Sequence, residues 1–150
     1  MALYRWGATI IHTRHSPPPA QRRPLPLPVT GSAGWELVPT GLGADHVVDA
    51  HGLDAFTSSP LSSLLAGLGL DHLIVCGLGL EGPVHSTLRS ANDQGLECLL
   101  LTDGCAPWDA DLVPSAINTI EMSGGIFGAV ASSALLLPAL QEGDLNVRTG

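Results

Sequence analysis

Apolar residues along this chain fall into short blocks separated by polar and glycine-rich turns. Five blocks, "GATIIHT" (7–13), "HVVDA" (46–50), "HLIVCG" (72–77), "ECLLLTD" (97–103) and "IFGAVA" (126–131), read as strands. Helical stretches lie between and after them, from Pro60 to Leu68, from Pro83 to Gln94, near 111–122, and in a last segment ending at Gln141. Strands apolar on both faces, alternating with helices, predict an α/β fold whose mostly parallel sheet is covered by helices. In such sheets ligands bind beyond the carboxyl ends of the strands, so the chemistry is to be sought there. The chain is expected to form a single domain over residues 1–150, with the proline-rich stretch around "SPPPAQRRPLPLP" (16–30) as a long extended surface loop within it.

Composition narrows the function classes. The formal net charge is −8, with six arginines and no lysine. Without a basic stripe to neutralise phosphates, no nucleic-acid partner is expected. No apolar run reaches the length of a bilayer span and no secretory segment opens the chain, so the expectation is a cytoplasmic protein without a membrane partner. Cys76 and Cys98 sit in apolar runs and read as buried free thiols, while Cys105, beyond "TDG", reads as the most exposed.

The most conspicuous motif is "VCGLGLEGPVHSTLRSANDQG" (75–95), where Gly77, Gly79 and Gly82 form G-x-G-x-x-G between a strand and a helix. A dinucleotide site would use Gly77 for the tight turn, Gly79 for approach to a pyrophosphate and Gly82 for helix packing, with Asp103 as the acidic partner about twenty residues on. Two neighbours oppose it. Glu81 would set a carboxylate against the phosphates, and Pro83 removes an N–H from the helix start.

Together with "GATIIHTRHS", "VVDAHGLDAF" and "IEMSGGIFGAV", the same stretch is similar to the isochorismatase-like hydrolases, the superfamily of isochorismatase, nicotinamidase and the cysteine amidases. The resemblance spans about residues 7–137, and the helix that family members continue as T-x-R-x-A reads here Thr87, Leu88, Arg89, Ser90, Ala91. It implies a three-layer α/β/α sandwich with a Rossmann-like sheet and a catalytic Asp, Lys and Cys, in which a thiolate attacks a carbonyl and backbone N–H groups hold the oxyanion. Laid on this sequence, the nucleophile position is Pro83 and the lysine position is Ala50. The aspartate belongs to the family's first strand, which is central in its sheet, and the sequence begins after that point. The expected consequence is a sheet lacking its middle member, so that the natural chain starts further upstream, the two halves pair directly, or a partner supplies the strand.

The expected function is therefore that of an isochorismatase-like family protein without catalytic activity. Two alternatives stand beside it: a hydrolase of a small amide or enol ether by a non-cysteine mechanism if the true N-terminus is longer, and a dinucleotide-binding domain using Gly77, Gly79 and Gly82. His15, Phe56, Gly79, Leu80, Glu81 and Gly82 are the expected pocket-lining residues, with Trp35 and Trp108 as further candidates for its walls. Glu81 suits a cationic or amide-bearing ligand. A metal is not expected, because His12 and His15 project from opposite faces of a strand. No cofactor is expected; the partners expected are a small-molecule ligand and further copies of the chain in a homo-oligomer.

Overall fold

The computed structural model describes residues 7–20, 24–36 and 43–142. Its elements run β1 (Ile11–Ser16), β2 (His46–His51), α1 (Leu61–Leu68), β3 (His72–Leu78), a single π turn (Leu80–Val84), α2 (His85–Asp93), β4 (Glu97–Ala106), a short 3-10 turn (Ala110–Leu112), α3 (Val113–Gly125), β5 (Ala129–Ala131) and α4 (Ser133–Glu142). Every strand pairing among the described residues is parallel, as the two-sided apolar runs require. The proline-rich loop begins one residue later than expected, because Ser16 closes β1, and its described part holds neither helix nor strand; Arg22 and Arg23 lie outside the described residues.

The strands divide into two sheets, β1-β2 and β3-β4-β5. The division falls where a missing central strand is expected. In the first sheet Ile11 faces His46 and Ser16 faces His51; in the second, Val75 pairs with Leu100 and Leu100 with Val130. One helix serves both. Leu61 and Leu65 of α1 are buried against Val48 of β2, with Ile11 of β1 and Leu73 of β3 in the same cluster. Helix α1 is held in place by local chemistry: the Ser59 hydroxyl accepts from Leu61 N–H, and left-handed Gly69 (φ 66°) closes its end while Leu70 N–H donates to Leu65 C=O.

A second, larger core lies under β4. Leu80, Val84, Leu88, Cys98, Leu100, Ala116 and Ile120 pack together from the π turn, α2, β4 and α3. On β3 the side chains alternate, so Leu73 and Val75 join the cores while Ile74, Cys76 and Leu78 stand exposed on the other face. The last strand is shorter than its apolar run suggests. At the end of α3, Ser123 (φ 55°) and Gly124 (φ 81°) leave the helical region, and residues 126–128 turn the chain before β5 begins at Ala129.

Candidate functional site

At the carboxyl end of β3 the chain enters left-handed Gly79 (φ 77°) and winds into the π turn, in which Val84 N–H donates to Gly79 C=O at 3.2 Å. Pro83 lies inside this turn and is buried. The glycines find their use within the protein itself. A Cβ on Gly79 would lie 2.7 Å from Trp108 Cε2 and one on Gly82 only 2.3 Å from Trp108 Cζ3, so both positions are kept bare by the indole seated over the turn. Around Gly77 the nearest atom to such a Cβ is Val84 Cγ2 at 3.9 Å. Asp103 is likewise occupied. Its carboxylate accepts from Ser133 N–H at 2.8 Å and from the Ser133 hydroxyl, fixing the start of α4, and these bonds hold its pKa below the usual carboxylate range.

The loop after β2 is tied to α2 by polar contacts. Asp54 accepts from Phe56 N–H (2.9 Å), the Thr57 hydroxyl (2.9 Å) and the Ser90 hydroxyl (2.7 Å), while Thr87 Oγ1 accepts from Ala55 N–H (3.0 Å). Thr87 and the Asp54-Ala55-Phe56 segment belong to separate motifs in the sequence; here they form one joint. Phe56 is partly buried and packs against both cores, and Leu80 is 2% exposed, so these two expected pocket residues fill the interior between loop and turn.

Ala50 is fully buried and faces His15 across the β1-β2 ladder. His15 Nδ1 donates to Gly52 C=O at 3.0 Å, which leaves Nε2 to accept from the Thr13 hydroxyl at 3.2 Å. Burial lowers its pKa, with the Gly52 carbonyl acting against that shift, so both ring nitrogens are committed in the neutral form. On the opposite face Arg14 forms a two-bonded pair with Asp49 (2.7 and 3.0 Å) and lies 3.8 Å from the centre of the Trp35 ring. Trp35 thus braces β1 and not the β3 turn. Beside that pair, buried Ser16 shares a 2.9 Å hydrogen bond with His51 Nδ1, a contact between positions 35 apart that no local pattern announces. Among the described residues, no group of three or more His, Cys, Asp or Glu is placed to hold a metal.

Cys98 is buried as expected, and the other two thiols exchange places. Cys76 is the exposed one, because β3 turns it to the uncovered face, whereas Cys105 returns over Gly77 and donates to Leu101 C=O at 3.3 Å. Desolvation raises all three, Cys98 to about 11, so none is held as a thiolate at neutral pH.

An open cleft of about 160 Å³ lies beside the turn, lined by Glu81, His85, Leu112, Ser115, Ala116 and Thr119. Of the expected pocket residues, Glu81 alone lines it. Glu81 accepts from Asp109 N–H at 2.6 Å through Oε1, while its Oε2 is buried and takes no donor among the described residues. Burial, then the charge of Arg89, lowers the pKa of His85. Ser115 and Thr119 were missed in the sequence; their i, i+4 spacing on α3, flanking Ala116, was the available signal.

The family model described as the isochorismatase domain matches residues 3–134. Streptothricin hydrolase from Streptomyces noursei is 30% identical over 116 residues, a match covering 76% of this chain and 40% of that protein. The isochorismatase family protein YecD of Escherichia coli O157:H7 is 28% identical over 118 residues, covering 77% of this chain and 61% of that one. The chain thus spans less than two thirds of the curated relatives it matches. Among solved structures, an isochorismatase family protein from Burkholderia thailandensis superposes with a TM-score of 0.78 at 23% identity, covering 93% of this chain and 77% of that one. A cysteine hydrolase from Pseudomonas syringae pv. phaseolicola gives 0.80 at 18% identity, covering 94% and 76%.

Proposed function

This chain belongs to the isochorismatase family, and from that premise we propose that it is a member without cysteine-hydrolase activity, retaining the fold to bind a small molecule and to assemble with copies of itself. The observation that carries the proposal is Pro83. At the nucleophile position it offers no thiol, and its nitrogen has no hydrogen to give an oxyanion, so one residue removes attacker and donor together. Trp108 reinforces the point by packing on Gly79 and Gly82. Buried Ala50 brings no amine.

Incubated with nicotinamide, biuret or streptothricin, the purified chain is expected to release no product above the uncatalysed rate, and Pro83→Cys alone is expected to restore none, because the lysine position stays empty of charge. Turnover by the unaltered chain that is lost on substituting a residue at the strand ends would overturn this. The likeness to streptothricin hydrolase favours hydrolysis as a second reading, which for this chain means a hydrolase of a small amide or enol ether by a non-cysteine mechanism if the true N-terminus is longer, and the same assay decides between the two.

Assembly is supported by the exposed apolar side chains of β3 and α4, where Leu78 and Leu135 are each 70% exposed and Ile74 39%. Sedimentation equilibrium is expected to give a mass at least twice that of one chain; a monomer at every concentration would rule assembly out.

A further inference from the structure

We propose that the cleft between the start of α2 and α3 binds a small organic cation, of the primary ammonium or amidinium class with a short apolar body, using Glu81 as its counter-ion. This rests on the reading of the chain as a small-molecule binder and supplies the ligand's chemical class.

The acceptor count of Glu81 is the starting point. A carboxylate has about four lone-pair sites, and here the Asp109 N–H engages Oε1 while Oε2 is buried without a donor among the described residues. An unpaired buried carboxylate oxygen is costly, so turning the carboxylate outward to meet a donor brought by a ligand recovers that cost. His85 is the basic side chain among the lining residues, and burial, then the charge of Arg89, lowers its pKa, so it faces the cleft as a neutral ring at pH 7. Arg89, one turn along α2 from His85, lies 4.5 Å from the centre of the Phe127 ring and donates through Nε to His85 Nδ1 at 3.2 Å.

The other lining groups fit the same ligand. The Ser115 hydroxyl donates to Leu112 C=O (2.8 Å) and the Thr119 hydroxyl to Ser115 C=O (2.7 Å), so their protons are spent and their oxygens are left as acceptors. Leu112 and Ala116 supply an apolar wall. An anion would meet the Glu81 charge, in a chain whose net charge is −8. The cleft, about 160 Å³, has room for a few-carbon cation.

The test uses benzamidinium and n-butylammonium as probes, titrated into the full chain and followed by amide NMR shifts, with benzamide and n-butanol as their neutral counterparts. Saturable shifts confined to residues around Glu81, Ser115 and Thr119 are expected with the cations. Glu81→Gln keeps an acceptor for Asp109 N–H and removes the charge; it is expected to weaken the cations on the order of ten-fold or more, the usual worth of a charged hydrogen bond. If that variant does not fold, Thr119→Leu, which fills the cleft, is expected to abolish the shifts. Neutral probes binding as tightly as the cations, unchanged affinity in either folded variant, or no saturable shift would overturn the proposal. Binding is read here without turnover, so such a failure leaves the expected lack of hydrolysis untouched.

Discussion

Leu100→Ala is expected to lower the stability of this protein by about 3 kcal/mol, within the range for truncating a fully buried leucine. Leu100 has no exposed surface, lies mid-way along β4, and pairs with Val75 on one side and Val130 on the other. Its side chain belongs to the core built by the π turn, α2 and α3, so the cavity left by truncation opens where three elements meet and none can close it alone. For a chain of this size the loss corresponds to a fall in melting temperature of roughly 6–12 °C. Urea unfolding at fixed pH checks it: the midpoint should fall with the slope unchanged. A loss below about 1 kcal/mol, less than the usual cost of such a truncation, would mean that β4 is not the centre of the core.

Gly128→Ala is expected to be of similar size, about 2–3 kcal/mol, for the opposite reason of overpacking together with backbone strain. Gly128 has φ 132°, and a Cβ there would lie 2.6 Å from the carbonyl oxygen of Cys98. That oxygen is backbone within β4 and cannot swing aside as a side chain would, so β5 would have to leave its ladder. Gly67→Ala is the paired control. Gly67 is an exposed position in α1 with nothing within 4 Å of its Cβ site, so alanine is expected to stabilise by about 0.5–1 kcal/mol through helix propensity. Thermal unfolding of the two variants side by side should therefore move in opposite directions; a harmless Gly128→Ala would contradict the β4–β5 register.

Much of the architecture was legible in the chain. Apolar runs placed the five strands of the described residues to within a few residues, and their two-sided character announced parallel pairing. Among the described residues the strands fall into two sheets, β1-β2 and β3-β4-β5. Boundaries were harder where backbone conformation overrode hydrophobicity: "IFGAVA" reads as one strand, yet the positive φ angles at the end of α3 spend its first half on a turn. Gly79 and Gly82 were legible as positions needing no side chain, and what needs the space was not. Trp108, some 26 residues beyond Gly82, fills it. The same holds for Asp103, whose spacing suits a ribose and whose carboxylate fixes α4.

Which groups stand at each position was determined by the sequence by itself: no folding gives Pro83 a thiol or an N–H, or Ala50 an amine. Tertiary structure alone decided where the remaining polar groups point. Glu81 shares a cleft with Ser115 and Thr119, and Thr87 is joined to Ala55, because packing brings together α2, α3 and the β2 loop from distant parts of the chain. Side-chain type is fixed residue by residue, whereas accessibility and partnership belong to the packed molecule, and a local pattern has no access to them.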